Sequence, residues 1–177
     1  GRVIDRDVQA WVDAHGAAGL DGNVEIVERR PLRGRRGTVA RRMVESLHDE
    51  MLAVMKDGKS LGFDGRLARL QKAIEARYDF AFMAEKSVGL AWKNLDDAQR
   101  AQLVDAMGRL AGNTYAGRMN DFSGEKFETL GTQAAAQSTI LVRTQIVESG
   151  GKKTSLDYRL RGTPAGPRIV DVFYDGT

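Results

Sequence analysis

Apolar residues return every four positions at Met43, Leu47, Met51 and Met55, with Val44, Leu52 and Val54 on the flanks, which predicts a helix from Thr38 carrying one apolar stripe. Gly58 and Gly62 close it, and Leu67, Leu70 and Ile74 mark a second amphipathic helix that ends near Tyr78. Short helices continue through Phe80 to Trp92. Asp96 followed by Gln99 has the spacing of a capping box and precedes Leu103, Val104, Met107, Leu110, Ala111, Tyr115 and Met119. The longest helix is expected there, ending around Asp121 to Gly124. Beyond it the apolar period falls from about 3.6 residues to about 2, and strands are predicted at Phe127 to Gln133, Thr139 to Glu148, Thr154 to Arg161 and Arg168 to Tyr174. Ser149, Gly150, Gly151 and Lys152 form a hairpin turn signal.

Helices first and strands afterwards indicate an α+β fold, with amphipathic helices packed on one face of a curved antiparallel sheet of about four strands. Alternation places Ile140, Val142 and Ile146 on one face, and Leu141, Val147, Arg143 and Gln145 on the other. Leu156, Tyr158 and Leu160 extend the apolar face, against Asp157, Arg159 and Arg161. Such a face under helices makes either a solid core or a cavity, and periodicity alone does not distinguish them. Upstream, Val8, Trp11 and Val12 suggest a short helix within residues 1 to 15, and Asn23 to Val27 a short strand. The cluster Arg29, Arg30, Arg33, Arg35 and Arg36, broken by Pro31 and Gly34, reads as an exposed loop.

Composition narrows the chemistry. With 177 residues, one domain is the working count, and a net charge of +3 with both signs interspersed does not define a partner. The absence of cysteine excludes disulfides, thiolate zinc sites and thiol catalysis. No apolar run is long enough to span a membrane, and the chain opens at Gly1 without a basic-then-apolar leader, which reads as a trimmed mature form. His15 and His48 are the only histidines, and Glu45 with His48 gives a single Glu-x-x-His step where di-metal bundles need two. No Gly-x-Ser-x-Gly elbow surrounds Ser46, Ser87 or Ser123, and Gly150-Gly151-Lys152-Lys153 lacks Walker spacing. Neither a catalytic residue, a metal site nor a cofactor is expected. A histidine or acidic residue deep in a pocket would be the sign of an enzyme.

The series Gly62, Phe63, Phe80, Phe82, Met83, Ala84, Val88, Gly89, Trp92, Gln99 and Arg100 leads into Thr114-Tyr115-Ala116-Gly117-Arg118 and Phe122-Ser123-Gly124-Glu125-Lys126-Phe127. Leu141-Val142-Arg143-Thr144 and Arg168-Ile169-Val170-Asp171-Val172 complete it. In order and spacing it resembles the MlaC (toluene-tolerance) family, and within that family the hopanoid-associated HpnM branch. The resemblance covers about two thirds of the chain, from Leu61 to Thr177. It implies an MlaC-like lipid-binding domain over residues 38–177, helical over 38–122 with an NTF2-like sheet subdomain over 126–174 and an apolar cavity between. Residues 1–37 form an N-terminal extension with the Arg-rich loop. Pro167 departs from the pattern, standing where the family usually carries Trp, and relatives continue into a further helical segment after the position of Thr177.

The resemblance also implies the function. A periplasmic carrier would shuttle a phospholipid or hopanoid-type lipid between an inner-membrane ABC-type or RND-type complex and an outer-membrane acceptor. Hiding two acyl tails calls for a deep apolar pocket, because each buried methylene is worth about 0.8 kcal/mol. The expected lipid-binding wall is Leu70, Ile74, Phe82, Val88, Trp92, Met107, Leu110, Tyr115, Ile140, Val142, Leu156 and Tyr158. Arg29, Arg30, Arg33, Arg35 and Arg36 would meet an anionic surface or partner. Nucleic acid is not expected, since no aromatic interleaving or known motif accompanies the charge. The other reading is a non-enzymatic α+β scaffold or binding module that docks to a membrane complex through the Arg-rich segment.

Overall fold

The architecture comes from a computed structural model, which describes residues 34–175. The expected N-terminal helix and strand, together with Arg29, Arg30 and Arg33, lie outside these residues. Helices α1 (Arg35–Lys56), α2 (Gly58–Glu75), α3 (Phe80–Val88) and α4 (Asp97–Arg118) come first, with a 3-10 turn at Gly89–Asn94 between the last two. Strands β1 (Lys126–Ala135), β2 (Thr139–Val147), β3 (Lys153–Thr163) and β4 (Gly166–Tyr174) follow as an antiparallel sheet in the order β1-β2-β3-β4. This is the α+β arrangement that the change of period predicts, with hairpins joining successive strands.

Helix α1 buries Ala40, Val44, Leu47, His48, Met51, Val54 and Met55 at three- and four-residue steps. Its buried stripe is turned slightly from the methionine series, so Val44 is fully buried whereas Met43 is half-buried. Asp57 caps α1, and Gly58 already opens α2. Gly62, at φ 62°, kinks α2 after its first turn, in the left-handed region that glycine adopts without strain.

Helix α4 starts with the expected capping box. The Gln99 N–H donates to Asp96 Oδ1 at 2.8 Å, and the Asp96 N–H donates to Gln99 Oε1 at 2.9 Å. At 22 residues α4 equals α1 in length and does not exceed it. Its fully buried positions are Gly108, Gly112 and Ala116, four residues apart, rather than the large apolar side chains. Leu67 and Gln71 of α2 fill the space beside Gly112, and the Phe80 ring lies beside Gly108. Close approach of two helices over small residues therefore sets the helical layer.

Backbone pairing stitches this layer to the sheet. The Asp79 N–H donates to the Ile169 carbonyl at 2.8 Å, and the Ile169 N–H donates to the Arg77 carbonyl at 2.8 Å, forming a parallel bridge at the β4 edge. The Arg168 guanidinium donates to the carbonyls of Glu75 and Ala76 and thereby caps the C-terminal end of α2. Thus the Arg168-Ile169 pair joins helix to strand.

The sheet's inner face contributes Ile140, Val142, Leu156, Tyr158, Leu160 and Ile169 to one core cluster with α1, α2 and α4. On its outer face runs a cross-strand ladder, Arg143 to Asp157 at 3.7 Å and Arg159 to Asp171 at 2.7 Å. The β1–β2 hairpin turns through Gln137 (φ 56°) and Ser138 (φ 57°), both left-handed and neither a glycine. Replacing Ser138 with Gly should raise stability by about 0.5–1 kcal/mol, measured by urea denaturation, since the strain at this turn disappears. An unchanged or lower stability would contradict that assignment of strain.

Candidate functional site

The expected wall residues separate into two groups. Leu70, Ile74, Ile140, Val142, Leu156 and Tyr158 are buried together in the core cluster, and Met107 and Tyr115 pack half-buried against it. The other four stand apart from this cluster. Leu110 is 54% exposed, because the small residues of α4 take the inward face. Phe82 lies under the Arg161 guanidinium, 4.5 Å from its ring centroid, and Trp92 under that of Arg100 at 5.6 Å. Val88, at the end of α3, is half-buried outside the core. Short helical segments cannot define a face by periodicity, which is why Phe82, Val88 and Trp92 were expected inside.

Within the core cluster the space is filled by side chains, so the expected deep cavity between helices and sheet is not an open one. Open space lies instead at one end of the wedge between α1 and the sheet. A cleft of about 580 Å³ is lined by Arg35, Arg36, Val39, Ile140, Pro164 and Pro167, among others. A second of about 400 Å³ adjoins it along the β1–β2 turn, and a third of about 620 Å³ reaches Phe82, Lys86 and Arg161. Arg36 lines all three, so they form a belt around the N-terminal end of α1. Their sizes suit small-ligand or headgroup binding.

The belt is cationic. Arg35 and Arg36 are exposed and form no ion pair among the described residues. Arg161 instead donates to Asp79 Oδ2 at 2.7 Å, and Asp79 also caps α3 by accepting from the Phe82 N–H at 3.1 Å. Lys86 pairs with Glu85 at 3.0 Å and lies over the Phe82 ring. Pro167 lines the first cleft, so the position where a Trp was expected from the family pattern sits at this mouth.

Sequence reading missed a polar group inside the core. His48 is 3% exposed, stacks on Phe127 with ring centroids 4.1 Å apart, and meets the Tyr158 hydroxyl through Nε2 at 3.1 Å. The Tyr78 and Tyr115 hydroxyls are 2.6 Å apart, and those of Tyr115 and Tyr158 also interact. Burial lowers the His48 pKa to about 3 and raises those of all three phenols, so the group is neutral near pH 7. Glu45, by contrast, turns outward to Arg41 at 2.7 Å, so the Glu-x-x-His step brings no carboxylate to His48. Among the described residues no group of three His, Asp or Glu side chains could hold a metal ion. His48 is the deep histidine named above as a mark of an enzyme, yet among the described residues it has a phenol and a phenyl ring for neighbours and no acidic partner.

Among the described residues no helix is long and apolar enough to cross a membrane. No curated protein matches the sequence. Among solved structures, the phospholipid-binding protein from Ralstonia solanacearum in complex with a phospholipid aligns with a TM-score of 0.69 at 25% identity, over 78% of this chain and 79% of its own. The iota-carbonic anhydrase from a cyanobacterium complexed with bicarbonate covers 82% of this chain and 96% of its own at 11% identity, with a TM-score of 0.47, too low to bear on chemistry. The family model described as MlaC protein matches residues 45–177, well over half the chain. From its helix-then-sheet architecture and that match, the chain belongs to the MlaC family.

Proposed function

We propose that this protein is a non-enzymatic lipid carrier that buries the tails of a phospholipid or hopanoid-type lipid between α1 and the inner face of the sheet. The observation that carries this reading is the similarity, over most of both chains, to a structure with a phospholipid bound. The arrangement of forces supports it. Among the described residues no backbone hydrogen bond joins α1 to the sheet, whereas the end of α2 is stitched to β4. Helix α1 can therefore shift outward without breaking secondary structure, and apolar side chains that line a core serve equally well around acyl chains. The cleft at its N-terminal end is the entrance, and Arg35 and Arg36 face an anionic headgroup or an acidic partner there. Acting in the periplasm, the carrier would pass lipid between an inner-membrane ABC-type or RND-type complex and an outer-membrane acceptor, with no role for nucleic acid.

Extraction of the purified protein with organic solvent, followed by mass spectrometry, tests the proposal. Co-purified lipid is expected, and its head group and tails would identify the cargo. Val39, 42% exposed, lines the entrance without belonging to the core. Val39→Trp should narrow that entrance and reduce lipid loading several-fold with the thermal midpoint retained. Repeated lipid-free preparations that also take up no lipid from vesicles would sink the carrier reading.

A further inference from the structure

A wall that only sheltered acyl tails would be built from leucine and phenylalanine, because each buried hydroxyl loses its hydration. Here α1, the segment after α2, α4 and β3 each deliver a polar side chain to one place: His48, Tyr78, Tyr115 and Tyr158. We propose that these four side chains form a recognition spine for an oxygen function, a hydroxyl or carbonyl, on the buried part of the ligand. The inference rests on the lipid-carrier reading and narrows the class of lipid it accepts.

The proton positions follow from the chemistry of the groups. A phenol is the stronger donor toward a neutral imidazole, so Tyr158 donates to His48 Nε2, and the remaining proton resides on Nδ1. Tyr115 then donates to Tyr158, and Tyr78 to Tyr115. All three hydroxyl protons are used in one direction. The spare capacity is a lone pair on each phenolic oxygen. Closed, the spine satisfies itself.

Opening changes that balance. His48 stands on α1 and Tyr158 on β3, so a ligand seated between α1 and the sheet parts them. A plain methylene chain would leave the imidazole and the phenol unpaired in a dry interior, whereas a ligand oxygen at that depth accepts from Tyr158 and donates to, or accepts from, the imidazole. Sites built to hydrogen-bond a buried ligand oxygen discriminate strongly against the analogue lacking it.

The test is competition against a fluorescent fatty acid on the full chain at neutral pH, comparing stearic acid with a set of monohydroxystearic acids that differ in hydroxyl position. At least one hydroxylated acid should bind about tenfold more tightly than stearic acid. Tyr158→Phe and, independently, the half-buried Tyr115→Phe keep the ring volume and should bring that ratio near unity by weakening the hydroxylated acid more than stearic acid. Equal binding of all the acids by the wild type, or a preference that survives both substitutions, overturns the recognition spine and leaves the carrier standing. Binding of none of them, with no lipid co-purified, overturns both.

Discussion

Acidification from about pH 7 to about pH 4 should destabilise the fold by about 3 kcal/mol through His48 alone, one of the two largest effects expected of this molecule. The imidazole is buried against Phe127 and Tyr158, and desolvation holds its pKa at about 3, against 6.5 in the unfolded chain. Below about pH 6.5 the unfolded chain takes up a proton that the folded one refuses, so stability is full above that value and is lost as the pH falls toward about 3. Asp157 and Asp171 act in the opposite sense. Burial raises the pKa of both, so their protonation favours the folded state as the medium becomes acidic. His48→Gln isolates the imidazole, since glutamine can still accept from Tyr158 and does not titrate. In urea denaturation across this range the wild type should lose stability more steeply than the variant, and parallel curves would show that His48 is hydrated or paired.

A comparable loss, about 1–3 kcal/mol, is expected from adding a single methyl at Gly58. A Cβ there would lie 2.7 Å from the Asn120 carbonyl oxygen and 2.8 Å from its carbon, and both atoms are backbone. Neither can rotate aside, so the start of α2 and the segment after α4 must separate. Arg66 would suffer too, because its buried guanidinium bridges the Gly58 and Ala116 carbonyls at 2.8 and 2.9 Å. The control is Gly117→Ala, where nothing lies within 4 Å of the new methyl group and helix propensity should give neutral or slightly higher stability. Thermal unfolding of the two variants side by side tests the contrast. A Gly58→Ala protein as stable as wild type would mean that the two segments do not touch.

Much of the fold was legible because it rests on period. The four-residue spacing of Leu47, Met51 and Met55 and the alternation through Leu156, Tyr158 and Leu160 report buried faces directly, and the capping box at Asp96 and Gln99 is a local signal. Helix α4 was legible only in extent. Its inward face is made of Gly108, Gly112 and Ala116, so a pattern of large apolar residues points the wrong way and placed Leu110 inside. The wall residues on β2 and β3 were read from a strand's strict two-fold alternation, whereas those on α3 and the 3-10 turn had too few turns to define a side. His48 went unrecognised as part of the interior for another reason. Its partners Phe127 and Tyr158 are 79 and 110 residues away, and no local pattern announces that a polar residue on an apolar stripe will find them.

The order of the elements has a consequence for how the chain must fold. Each strand pairs with its immediate successor, so the sheet can zip from short local closures, which favours rapid formation. Yet the whole helical layer precedes it, and α1 leaves the ribosome with the part of the Val44, Leu47, Met51 and Val54 stripe that the sheet covers still open until residues more than seventy positions later have been made. During that interval the nascent chain presents an unpaired greasy surface. A holdase that shields this stretch, or export before the sheet is complete, would protect it from aggregation, and a chain halted before β2 should be insoluble where the full-length one is not.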